Sequence, residues 1–154
     1  MKIRTHLYTT TLLSGGLFAA TRSPQIAVSC FLSGIFIDID HVFDFLIFSE
    51  EKFSIKNMLL WCNEQKWKKI VLIFHSYELF IFLSFIMYYF PHNILLGILL
   101  GSGLHLILDQ IGNCSFSKYN KPFPWFYFFT FRILSGFRKE KLLRQNLTPQ
   151  SQLL

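Results

Sequence analysis

Charge is scarce in this chain. Asp, Glu, Lys and Arg make up 16% of its 154 residues, where an ordinary soluble domain carries about 25%. Cysteine is sparse too. Cys30, Cys62 and Cys114 lie far apart and form no CxxC pair, which excludes a disulfide framework, and Cys30 and Cys114, at or beside apolar segments, read as reduced thiols. Internal repeats, low-complexity tracts and a second domain are all missing, and the length allows one domain.

What is abundant is apolar bulk. Hydrophobic residues reach 52%, with 19 Phe. A soluble protein of this size has too little interior to hide so many large side chains, and a lipid-facing surface removes the difficulty. The net charge of +6 is carried by short segments between apolar runs. That pattern reads as membrane topology, and no nucleic-acid partner is expected.

The first apolar segment covers about residues 5–20. Its start, MKIRTHLYTTTLLSGGLFAA, has the basic beginning and small residues of a secretory signal. His6 and the Thr run interrupt it, so it reads as a retained first helix. Arg22, Ser23 and Pro24 break it. A second helix is expected over 25–48, a polar lysine-rich loop with a surface helix over 49–69, and a third, almost wholly apolar helix over 70–90. After a turn at 91–93, with His92 as a solvated turn residue, a fourth follows over 94–112, where Gly97, Gly101 and Gly103 offer a small-residue packing face. Residues 121–137 are aromatic, contain Arg132 and are short for a span.

With four spans, Lys2, Arg4, Lys52, Lys56, Lys66, Lys68, Lys69, Lys118 and Lys121 fall on one side and Arg22 alone on the other. If 121–137 lies in the interface, Arg138, Lys139, Lys141 and Arg144 join the majority. The expected architecture is therefore an all-α integral membrane bundle of about four transmembrane helices plus an interfacial aromatic helix. One domain covers 1–137, and 138–154 is a basic and polar cytoplasmic tail, disordered at its end. Both termini are cytoplasmic.

An ionisable residue within a span costs on the order of 3 kcal/mol. Even so, the apolar segments hold His6, Asp38, Asp40, His41, Asp44, His75, Glu78, His105 and Asp109. The chain reverses at each turn, yet His6, Asp40, His41, His75, His105 and Asp109 all fall in one layer near the cytoplasmic side. Four helices each offering His or Asp at one depth is how bundle-core metal sites are built. His105 and Asp109 share a face at i,i+4, as do Asp40 and Asp44. Asp38 and Asp40 diverge by about 200° in a regular helix, so both line one site only if the helix kinks or one stands behind the other. Mixed imidazole and carboxylate donors favour zinc, with manganese or iron as alternatives, and their number suffices for one or two ions. The expected ligands are His6, Asp40, His75, His105 and Asp109, with His41 a ligand or ligand-orienting residue. Asp38 or Glu78 is the candidate general base or orienting group.

The order of these motifs, RTHLYTT, GIFIDIDHVFD, FHSYE and GLHLILDQIGN, resembles the bacterial inner-membrane metal-dependent hydrolases. Some of that family are described as LexA-binding, and the family is distantly similar to zinc-dependent phospholipases C. The resemblance covers roughly residues 5–113. It implicates His6, Asp38, Asp40, His41, His75, His105 and Asp109, and implies a bacterial inner-membrane location. Many members have H-R-x-x-T-H where this chain has HSYE. His75 matches the first His, the second is missing, and one ion or two both stay open. The expected function is metal-dependent hydrolysis of a phosphoester or lipid-like substrate at the cytoplasmic leaflet, with membrane lipid as partner. The rivals are a proton or metal transporter and a non-catalytic protein with a structural metal.

Overall fold

A computed structural model describes residues 3–115 and 121–144. Lys2, Lys118 and the tail beyond 144 lie outside the described residues, as does the side chain of Cys114. Helices dominate: α1 (Ile3–Thr21), α2 (Pro24–Phe36), α3 (Ile39–Phe48), α4 (Ile55–Asn63), α5 (Tyr77–Tyr89), α6 (Asn93–Ser115), α7 (Phe129–Leu134) and α8 (Lys139–Leu142). A 3-10 turn covers Pro124–Tyr127. Two short antiparallel strands, β1 (Lys121–Pro122) and β2 (Leu143–Arg144), pair with each other.

Local chemistry accounts for the boundaries. Arg22 adopts a left-handed φ of 55° and ends α1. Ser23, held extended before Pro24, caps α2 by accepting from the Ile26 N–H, and Pro24 fits the first turn because its missing N–H has no helical partner there. Ser54 and Ser76 cap α4 and α5 in the same way. Between α2 and α3 the run Ile-Phe-Ile-Asp-Ile-Asp mixes β-branched and Asp residues, both poor helix formers. The backbone there switches to tighter i−3 bonds, Asp38 N–H to Ile35 O at 3.4 Å and Asp40 N–H to Ile37 O at 3.4 Å. The helix expected over 25–48 is thus broken at residues 37–38.

The third expected helix also needs correction. Residues 70–76 form an irregular strap, with helix only from Tyr77. The strap's amides are met by carboxylates on α3: Val71 N–H donates to Asp44 at 2.8 Å, and the N–H groups of Phe74 and His75 donate to Asp40. Asp40 and Asp44, one turn apart on α3, thereby supply the acceptors that a helix would have supplied itself. Leu72 has a φ of 45°, a costly region for a branched side chain, and it is held there by burial.

α2 packs along α6, and α1 lies against both. The stripe His6, Thr10, Ser14 on α1 is buried, with Thr10 against Gly34 of α2. At Gly97 and Gly101 the backbones approach so closely that an added Cβ would meet the Ile26 and Cys30 carbonyl oxygens respectively. Glycine is the residue that permits this contact. The main apolar cluster lies elsewhere, where Ile37, Ile70, Leu72 and Leu106 meet Phe126, Tyr127, Leu142 and Leu143.

The aromatic segment is a strand, a 3-10 turn and a six-residue helix, not one interfacial helix. Residues 138–144 fold back, Lys69 bridges to Arg138, and Leu142 and Leu143 are buried.

Two helical stretches, Pro24–Phe48 and Asn93–Asn113, are long and apolar enough to cross a membrane, whereas α5 is apolar but shorter. No residue of α5 is buried, and Ile81, Phe82, Phe85, Tyr88 and Tyr89 are exposed.

Candidate metal centre

The break at 37–38 leaves Asp38 at the start of α3, the strap ends at His75, and α6 carries His105 and Asp109 one turn apart. These four side chains meet. Asp38 Oδ1 lies 3.4 Å from His75 Nε2 and 3.4 Å from His105 Nε2. Asp109 lies 3.7 Å from each of the same two nitrogens through Oδ2. Both rings are buried, and neither Nε2 makes a hydrogen bond. A good N–H···O bond spans about 2.9 Å. Donors around a four-coordinate zinc, each at roughly 2.0–2.1 Å, stand about 3.3 Å apart. The four separations match donors that share a cation better than groups that bond to one another.

The far side of each ring fixes its orientation. His105 Nδ1 lies 2.8 Å from the Gly34 carbonyl oxygen, and His75 Nδ1 lies 3.2 Å from Asp40 Oδ2. Both partners accept only, which assigns a proton to each Nδ1, so that a neutral ring presents its lone pair at Nε2. Imidazoles backed by a carbonyl or carboxylate in this manner are the usual support of a metal ligand.

Two further imidazoles flank the four. His6 Nε2 lies 3.0 Å from Asp109 Oδ1, and its ring stacks on that of His105 with centroids 3.9 Å apart. His41 Nε2 stands 3.8 Å from Asp38 Oδ1. Two groups have donor atoms within 4.8 Å of one another: His6, His105 and Asp109, and Asp38, His41 and His75. Buried His/Asp groups able to hold a metal ion are therefore present. The cluster is open on one edge, where the Asp38 and His41 side chains are 32% and 24% exposed.

The expected residues separate by position. His6, Asp38, His41, His75, His105 and Asp109 gather. Asp40, expected as a ligand, stands behind His75 and holds the strap, while Asp38, expected as a base or orienting group, faces both Nε2 atoms. The kink that the sequence made a condition for using both is present, and it exchanges their positions. Glu78, the other candidate base, is engaged elsewhere. Its two oxygens accept from the Phe129 and Thr130 N–H groups at 2.8 and 2.9 Å and from the Thr130 hydroxyl at 2.7 Å, which fastens α7 to α5. His92 is exposed, and its Nδ1 accepts from the Ile94 N–H at the start of α6.

Arg132 was not among the expected site residues. It is fully buried, donates to the His75 carbonyl oxygen at 3.0 Å, and lies between the rings of Phe126 and Phe129. Burial pushes its pKa down to about 10, against the opposing fields of Asp40, Glu78 and Asp44, so it stays charged at neutral pH. A lone cation in an aromatic stretch was its only sequence signal. Cys62 is removed from the chemistry: burial pushes its thiol up to about 11, and a thiol must ionise to bind metal.

No family model matches this chain, and neither does any curated protein or solved structure.

Proposed function

We propose that this chain is a multi-pass membrane protein that holds a divalent metal, zinc by preference, among His75, His105, Asp38 and Asp109, and uses it to hydrolyse a phosphoester at the cytoplasmic face. The observation that carries the reading is the pair of Nε2 atoms, each fixed from behind, each without a hydrogen bond, both facing the same two carboxylates. Two carboxylates facing neutral imidazoles in a buried site are costly alone and balanced by a doubly charged ion.

A zinc ion held by these residues would supply a water acidified to a pKa of about 7 and a Lewis acid for a phosphoryl oxygen. The chain's own groups do the rest. Asp40 and the Gly34 carbonyl hold the two rings, Arg132 pins the strap that carries His75, and His6 holds Asp109 through Oδ1. His41 stands at the exposed edge, where it is placed to exchange protons with an incoming group. The resemblance to bacterial inner-membrane metal-dependent hydrolases supports the same reading.

Membrane insertion rests on the two long apolar stretches and on the bare apolar face of α5. α1 and α5 complete a four-span bundle with both termini cytoplasmic, as the distribution of lysine and arginine favours. α5 spans roughly 20 Å, and the strap supplies the remaining depth. Irregular backbone at membrane depth is tolerated where it is buried in protein, and the strap meets that condition through Ile70, Leu72, His75 and Ser76. A transporter needs polar groups continuing to the far side, where α2 and α6 offer glycine and serine contacts. A purely structural metal calls for a closed site, and the edge at Asp38 and His41 is open.

Elemental analysis of the detergent-purified protein, with a panel of phosphodiester and phosphomonoester substrates, tests the reading. Bound zinc that is lost in Asp38→Ala and His105→Ala, together with metal-dependent turnover, is expected. Full metal content in both variants overturns the site, and a metal-loaded protein inert toward every phosphoester overturns the activity.

A further inference from the structure

An apolar cleft of about 280 Å³ opens beside the donor cluster, between the end of α2, the strap, α5 and α6. Phe36, Phe74, Leu79, Leu83, Ile98 and Leu106 are among the side chains that line it. Three serines also face it, Ser33, Ser76 and Ser102, and each hydroxyl oxygen is already engaged: Ser76 caps α5 by accepting from the Leu79 N–H at 3.2 Å. Ser102 donates to the Ile98 carbonyl at 2.7 Å, and Ser33 donates to the same oxygen and to the Cys30 carbonyl, each at 3.2 Å. The lining therefore offers almost wholly methyl, methylene and ring surface, with each serine oxygen already hydrogen-bonded, which suits an apolar ligand and not a hydrated one.

Three features identify the occupant. One end of the cleft is within one residue of three donors: Ile37 and Ile39 bracket Asp38, Phe74 precedes His75, and Leu106 follows His105. From that end the cleft follows α6 back to Ile98, about 12 Å at helical rise. That is close to the thickness of one hydrocarbon leaflet, roughly 15 Å, and it runs along the helix as lipid tails run in a bilayer. Its rim is open on the apolar side, where Phe36 is 60% exposed and Phe74 43%.

We infer that this cleft holds an acyl chain, and that the substrate is a phospholipid whose phosphoester rests against the Asp38–His41 edge while one of its chains lies between α2, α5 and α6. The inference rests on the metal-dependent hydrolase reading for the phosphoester and on the cleft alone for the chain. A lipid entering from the leaflet then needs no extraction into water. Remote binding along the chain would position the reacting group at the cluster.

Photocrosslinking separates the two parts. The full chain, in nanodiscs of phosphatidylethanolamine and phosphatidylglycerol, is irradiated with phosphatidylglycerol that carries a diazirine midway along one acyl chain, and adducts are mapped by mass spectrometry. Adducts are expected on residues 74–83 and 98–106. Ser102→Phe, which fills the cleft, should lower them about fivefold or more, since a built-in clash excludes the chain, while zinc content and background adducts on Ile111 stay unchanged. Leu83→Trp is the second variant if Ser102→Phe loses its zinc. Adducts spread evenly over Phe85, Ile107 and Ile111, with no response to either variant, overturn the inference. Adducts in the cleft of a protein that hydrolyses no phosphoester keep the acyl site and overturn the catalytic reading.

Discussion

Where His6, Asp38, His75, His105 and Asp109 meet, the helices are joined through polar side chains spaced 3.0 to 3.7 Å apart. Toward the other end of the same helices, α2 and α6 touch through Gly97, Gly101, Ser29 and Ser33, with backbone against backbone. The first region keeps a space between the Nε2 atoms of His75 and His105 and the carboxylates of Asp38 and Asp109, which they do not bond, and the second leaves no room even for a methyl group. Close glycine contacts fix the distance between α2 and α6 without help from the donors. The donors then face each other at a separation the rigid end imposes, which is how a scaffold holds a site in advance of its ligand.

Substitutions can break this contrast from either end. The largest effect on metal is expected from His105→Ala, which removes a donor and leaves the Gly34 carbonyl without its partner. Metal content should fall to background in elemental analysis while circular dichroism keeps its helical signal; metal content equal to wild type would place the ion elsewhere. Gly97→Leu should do the reverse. The new side chain meets Ser29 and the Ile26 carbonyl, backbone that cannot give way, at a cost of about 3 kcal/mol or more. Thermal melting in detergent should drop sharply, with metal lost only because the bundle opens. An unchanged melting temperature would mean that α2 and α6 are not closely packed.

Asp40→Asn tests the support behind a donor. Weakening the partner of His75 Nδ1 should lower metal affinity about 10- to 100-fold, measured by competition with a chelator. Asp40 as a direct ligand predicts complete loss instead. Smallest is Glu78→Gln. Its carboxylate fastens the start of α7, so the expected cost is about 1–2 kcal/mol of stability with metal content unchanged. A variant that folds normally but loses turnover would return Glu78 to the chemistry.

The gathering of His6, Asp38, His41, His75, His105 and Asp109 was legible because ionisable side chains are rare in apolar segments and stand out where they occur. Gly97 and Gly101 were legible as packing residues for the same reason: a small side chain repeated at i,i+4 has one obvious use. The exchange between Asp38 and Asp40 was not, because the answer depends on a break at residues 37–38 that no Pro or Gly announces. The strap over 70–76 is as apolar as the helix that follows it, and hydrophobicity alone does not separate an extended segment from a helical one. Its signature lies in another part of the chain, in the carboxylates of Asp40 and Asp44 that receive its amides. Arg132 was hidden for a similar reason. Its partner is the carbonyl of His75, 57 residues earlier, and a backbone atom leaves no mark in a sequence.

The Asp40 carboxylate reaches two amides of the strap and the imidazole at its end. Backbone shape and ring direction at residue 75 are in consequence a single mechanical variable. Strain relieved at Leu72, or a bulky neighbour introduced near Val71, would swing an imidazole several residues away. Mutational scans of this protein should therefore find ion-binding defects at apolar positions that own no donor atom, arranged along the chain from 70 to 76.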